Sequence, residues 1–113
     1  MYWAKYHLQH LKKWREAVEA IAKAVSEIVP GAEVYVVGGA AENRLTVLSD
    51  IDIVVCLGEK VEPDSIWELR RRILATAIDK YGLPWDYPVE IHILTCDVFK
   101  DMFRNKKTIR VPP

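Results

Sequence analysis

The chain runs to 113 residues, half of them hydrophobic, and its sixteen Lys plus Arg balance sixteen Asp plus Glu. That length closes one modest core without room for a second domain of ordinary size, so residues 1–113 are expected to form a single domain. A net charge of zero supplies no global positive field and excludes an extended nucleic-acid footprint, and no run reaches the roughly twenty apolar residues of a membrane span.

From about residue 4 to Val29, the residues Leu11, Trp14, Val18, Ile21, Val25 and Ile28 recur in steps of three and four. That spacing lines one face of an amphipathic helix, which Pro30-Gly31 ends. Val34-Tyr35-Val36-Val37 is β-branched and aromatic between Pro-Gly and Gly-Gly, the pattern of a short buried strand. Ala40 to Leu48 is a polar turn region whose first residues make one helical turn before Asn43. Ser49 to Leu57 begins with alternation and becomes continuously apolar, as in a deeply buried strand that exposes one face at its start.

Pro63-Asp64-Ser65 opens a second long helix, with Ser65 and Glu68 in capping-box spacing and Ile66, Leu69, Ile73, Ala77 and Tyr81 on one face. Gly82 and Pro84 end it. Val89 to Leu94 alternates again and reads as a strand, followed by a short helix near Asp97 and a basic, proline-ended tail. The order is helix, strand, turn, strand, helix, strand, helix. It predicts an α/β (α+β) fold in which helices flank a small mixed sheet.

Arg70-Arg71-Arg72 and Lys106-Lys107 read as solvated faces. Cys56 and Cys96 lie in apolar runs and lack the close spacing of a redox pair or a zinc ligand set, which fits buried, reduced thiols. The first residues, with Lys5, His7 and His10 among apolar ones, do not form a signal peptide, so a cytoplasmic location is expected. Asn and Gln total three against plentiful charge, a slight lean toward a heat-adapted source.

Asp50 and Asp52 are two apart on a predicted strand, so their carboxylates point to one side of the sheet. Like charges so close repel unless a cation neutralises them, and magnesium, a hard cation that prefers oxygen ligands, is the natural candidate. Upstream, Gly38-Gly39 ends one strand and opens a tight turn in which backbone N–H groups can approach an anion such as a triphosphate.

Val37-Gly38-Gly39, ten intervening residues that end in Ser49, and then Asp50-Ile51-Asp52 together resemble the signature of the DNA polymerase beta nucleotidyltransferase superfamily, in particular its minimal nucleotidyltransferases. In those the motif runs Gly-Ser, ten residues, Asp-x-Asp. The resemblance implies a nucleotidyltransferase-like fold and a metal site of Asp50, Asp52 and a third acid on a later strand, Glu90, with Asp86 as its competitor. It also implies nucleotide binding by Gly38, Gly39, Ser49 and Arg44, with Mg2+ or Mn2+ as cofactor and a nucleoside triphosphate, ATP first, as substrate. His92 shares the face of Glu90 and is read as a hydrogen-bonded edge residue outside the site.

The chain departs from the family pattern where minimal members carry Ser-Arg-Ala-Arg-Gly and it has Gly39-Ala40-Ala41-Glu42-Asn43. A serine hydroxyl and two basic groups are absent, although Asn43 can hold a left-handed turn in place of glycine. The resemblance implies transfer of a nucleotidyl group, AMP from ATP, to a hydroxyl acceptor, and a small helical HEPN-type protein as partner and source of that acceptor. Self-association is compatible with it. The alternative is a non-catalytic, antitoxin-like module that sequesters such a partner.

Overall fold

The structure is a computed structural model and describes residues 13–45 and 50–113. Helix α1 (Trp14–Ile28) buries Val18, Ile21 and Val25 as the spacing predicts, with Trp14 and Ile28 half-buried beside them. Ala17, Ala20, Ala22 and Ala24 are buried as well, so small residues widen the contact stripe and let the backbone lie close to its neighbours. Leu11 and the rest of the helix expected before residue 13 lie outside the described residues. Gly31, at φ +90°, turns the chain into strand β1 (Glu33–Val37).

One helical turn, α2 (Gly38–Ala41), follows β1 directly, and β2 (Ile51–Leu57) returns antiparallel to it. Helix α3 (Pro63–Tyr81) then carries the chain to β3 (Val89–Thr95), which lies parallel to β2, as a strand reached through a helical crossover does. Helix α4 (Cys96–Met102) and strand β4 (Ile109–Val111) complete the order. The four strands form one mixed sheet, β3-β2-β1-β4, among the described residues.

Strand alternation divides the sheet into two unlike faces. Val34, Val36, Ile51, Ile53, Val55, Leu57, Ile91 and Ile93 point to α1 and α3 and form the main core. Each fully buried Ile or Val there contributes about 1.5–3 kcal/mol of transfer free energy. The opposite face carries a smaller cluster of Val37, Val54 and Cys56 under Phe99 of α4, with Tyr35, Leu94, Cys96 and Phe103 packed around it. The Phe99 ring stacks on Tyr35 at 4.4 Å and meets Phe103 at 5.2 Å.

Two sequence expectations are corrected. The capping box at Ser65 and Glu68 does not form. Pro63 already occupies the first turn of α3 after Glu62 as N-cap, which leaves Ser65 inside the helix, and Glu68 pairs instead with Arg71 at 2.5 Å. That exposed pair holds the Glu68 carboxyl below its ordinary range. The basic, proline-ended tail, to which the sequence reading assigns no strand, contains β4, whose Ile109 and Val111 pair with Val36 and Val34 and pack on the main core.

Of the predicted basic faces, Arg71 and Arg72 are exposed, whereas Arg70 is half-buried and its Nε has no hydrogen-bond partner among the described residues. Gly82, at φ +76°, ends α3 as expected. Both cysteines are free thiols; Cys56 is buried and Cys96 only half-buried. Among the described residues no helix is long and apolar enough to cross a membrane.

Candidate active site

The parity that sends Ile51 and Ile53 to the helices sends Asp52, between them, to the opposite face of β2. The parallel register sets Glu90 level with Asp52 and His92 level with Val54, while Val37 at the end of β1 lies across from Asp52 on the other side. α4 covers this face over Val54 and Cys56 and leaves Asp52 half-buried. A polar recess therefore opens at one end of an otherwise apolar face.

One donor atom from each of Asp52, Glu90 and His92 lies within 4.8 Å of the other two. His92 Nε2 stands 3.6 Å from Asp52 Oδ1 and 4.0 Å from Glu90 Oε1. Two carboxylates and an imidazole so placed offer two oxygen donors and one nitrogen donor to a single point, an arrangement that a bound cation would neutralise. His92, set aside in the sequence reading, is thus part of the cluster. Its shared face with Glu90 was the signal.

The turn after β1 touches the same recess. Gly38 sits at φ +68°, and a Cβ there would stand 2.7 Å from Asp52 Oδ2, so the carboxylate rests directly against the glycine. At Gly39 an added Cβ would meet the Arg44 carbonyl at 3.5 Å, an ordinary contact. The turn closes through Glu42 N–H to the Gly38 carbonyl at 3.0 Å and Arg44 N–H to the Gly39 carbonyl at 2.7 Å. Asn43, at φ +57°, holds the left-handed position that the sequence suggested for it.

Of the remaining expected site residues, those that the structure describes stand apart from the converging group. Asp50 precedes the first residue of β2, is exposed, and is not a member of the converging group. Asp86 is exposed in the turn before β3 and is also outside the group. Arg44 is exposed and ion-paired with Glu42. Ser49 lies outside the described residues. A separate groove of about 330 Å³ runs between α1 and β4, lined by Trp14, Val18, Lys23, Ile109 and Val111 among others, and none of the acidic cluster borders it.

A family model for the nucleotidyltransferase domain matches residues 18–111. The chain belongs to the nucleotidyltransferase domain family. The match runs from Val18 in α1 to Val111 in β4, so the nucleotidyltransferase domain takes in every strand of the sheet. A crystal structure of a protein inferred to be a nucleotidyltransferase is similar at 28% identity and a TM-score of 0.47, over 79% of this chain and 90% of that one. No curated protein gives a match.

Membership implies nucleotidyl transfer from a nucleoside triphosphate with a divalent cation, in general terms. The residues present fit such a cation. Asp52 and Glu90 offer oxygen donors of the kind hard divalent ions prefer, and His92 adds a nitrogen within the same 4.8 Å.

Proposed function

We propose that this nucleotidyltransferase, read as one domain over residues 1–113, transfers AMP from ATP to a hydroxyl acceptor at the recess formed by Asp52, Glu90 and Gly38. The observation that carries the reading is the contact of the Gly38 turn with Asp52, because it sets a glycine-rich turn beside a carboxylate that faces a second one. In this reading Asp52 and Glu90 hold Mg2+ or Mn2+, with Asp50 joining from the start of β2. A divalent cation there supplies neutralisation of the phosphate oxygens and Lewis-acid polarisation at the α-phosphorus.

The protein's own groups do the rest. Gly38 and Gly39 let the backbone approach the outer phosphates, with Ser49 contributing from the motif before β2. Glu90 takes the proton of the acceptor hydroxyl as its oxygen attacks phosphorus and pyrophosphate leaves. His92 stands within reach of the same cation and would add its nitrogen to the two carboxylates as a third donor. Arg44 reaches a phosphate by releasing Glu42, and an exposed ion pair of that kind is worth only about 0–1 kcal/mol, so the exchange costs little.

The test is incubation with α-labelled ATP, Mg2+ or Mn2+, and a small helical HEPN-type protein as acceptor. Label should pass to that protein and fall by about a hundredfold or more in Asp52→Asn and in Glu90→Gln, since even outer partners of a metal cost up to that much. Transfer that persists in both variants would overturn the assignment. One observation favours the second reading, a non-catalytic module that sequesters its partner: Glu42 places an acid on the phosphate turn and occupies Arg44. Tight complex formation with no transfer in any variant would select it.

A further inference from the structure

At the far end of the face that carries Asp52, a second group of donor atoms converges. One oxygen of Glu33 and the sulfurs of Cys56 and Cys96 all lie within 4.8 Å of one another. The register explains how three residues far apart in sequence meet. Glu33 faces Cys56 directly across β1 and β2, and Cys96 follows β3 two positions beyond Leu94, which faces Cys56 from the other side. Cys56 lies four residues beyond Asp52 on β2, about 13 Å at the usual strand rise, so the two groups are separate.

We propose that Glu33, Cys56 and Cys96 form a metal site for a thiophilic divalent cation of the zinc kind. Two sulfurs and one carboxylate oxygen are a donor set that zinc accepts and that magnesium or calcium does not select. The surroundings are those of an oriented site. Tyr35 donates its O–H to Glu33 Oε2 at 2.8 Å and fixes the carboxylate, as outer partners of metal ligands do. Cys56 is buried in one apolar cluster with Phe99, and Cys96 and Phe103 pack against that cluster.

Charge also balances there. On binding, both thiols release their protons to solvent, and two thiolates plus one carboxylate leave a single negative charge around a dication. Arg110, with Nη2 at 4.0 Å from Glu33 Oε1, stands beside that charge. The cation would tie β1, β2 and the start of α4 together at one point. The proposal is independent of the transfer reaction, since none of its ligands belongs to the recess at Asp52.

The experiment is a cobalt titration of chelator-treated, reduced protein, followed by zinc displacement. The wild type should show a thiolate-to-cobalt charge-transfer band that saturates with one cobalt bound at this site, whatever the Asp52 site takes up, and that zinc abolishes. The band should vanish in Cys96→Ser, need about tenfold or more cobalt in Glu33→Gln, and persist in Asp52→Asn, which separates this site from the transfer site. Circular dichroism checks that each variant is folded, and Cys96, being half-buried, is the safer cysteine to change. A folded wild type without a sulfur band overturns the proposal. So does a Cys96→Ser protein that titrates like wild type, or thiols that form an intramolecular disulfide under peroxide after giving no cobalt band.

Discussion

Gly38 and Gly39 are neighbours in sequence, yet the structure makes different demands on them. Gly38 needs both its positive φ and the space that Asp52 Oδ2 fills, so a side chain there meets two penalties at once. Gly38→Ala should cost about 1–2 kcal/mol for the left-handed backbone alone and push the Asp52 carboxylate out of the recess. Gly39 has ordinary room for a Cβ. Gly39→Ser should therefore change stability by less than about 0.5 kcal/mol while adding a hydroxyl to the phosphate turn. Urea unfolding and ATP binding measured on the two variants check the contrast; equal losses in both would show that the turn does not distinguish its two glycines.

At the level of elements, helix starts give the sharpest test. Thr95 caps α4 by accepting the Val98 N–H at its Oγ1, 3.3 Å away, whereas Ser65 caps nothing. Thr95→Ala should lose about 1 kcal/mol, and Ser65→Ala should stay within about 0.5 kcal/mol, both read from denaturant midpoints. A loss near 1 kcal/mol at Ser65 would restore the capping box. The difference also shows what the sequence could reveal. α1, α3, β1, β2 and β3 were legible because each repeats its apolar spacing over enough residues to define a period. β4 was not, because three residues define no period and Ile109 and Val111 gain meaning only beside Val36 and Val34. The meeting of Asp52 with Glu90 followed from strand parity and the resemblance, while the place of His92 depends on where its ring points, and the meeting of Cys56 with Cys96 depends on the order of strands. Neither is written in local spacing.

For the molecule as a whole, alkaline pH probes the core. Tyr87 is buried in the main cluster, and burial pushes its phenol up to about 12 from an ordinary value of 10.0. The unfolded chain therefore gives up this proton first. The stabilisation from Tyr87 is intact below pH 10.0 and is lost progressively as pH rises from there through about 12. Two pH units correspond to at most about 3 kcal/mol. Unfolding free energies across that range should fall more steeply for wild type than for Tyr87→Phe; parallel slopes would place the Tyr87 hydroxyl in a watery setting.

The two-sided character of β2 has one more consequence. Ile51, Ile53, Val55 and Leu57 fill the core while Asp52 and Cys56 serve the opposite face, so a slip of one residue against β1 and β3 would drive the Asp52 carboxylate into hydrocarbon and lift four apolar side chains out of it. No compact chain with a sliding acid can persist. Folding of the wild-type chain and placement of Asp52 on its side of the sheet are then one event, and a single unfolding transition reports both.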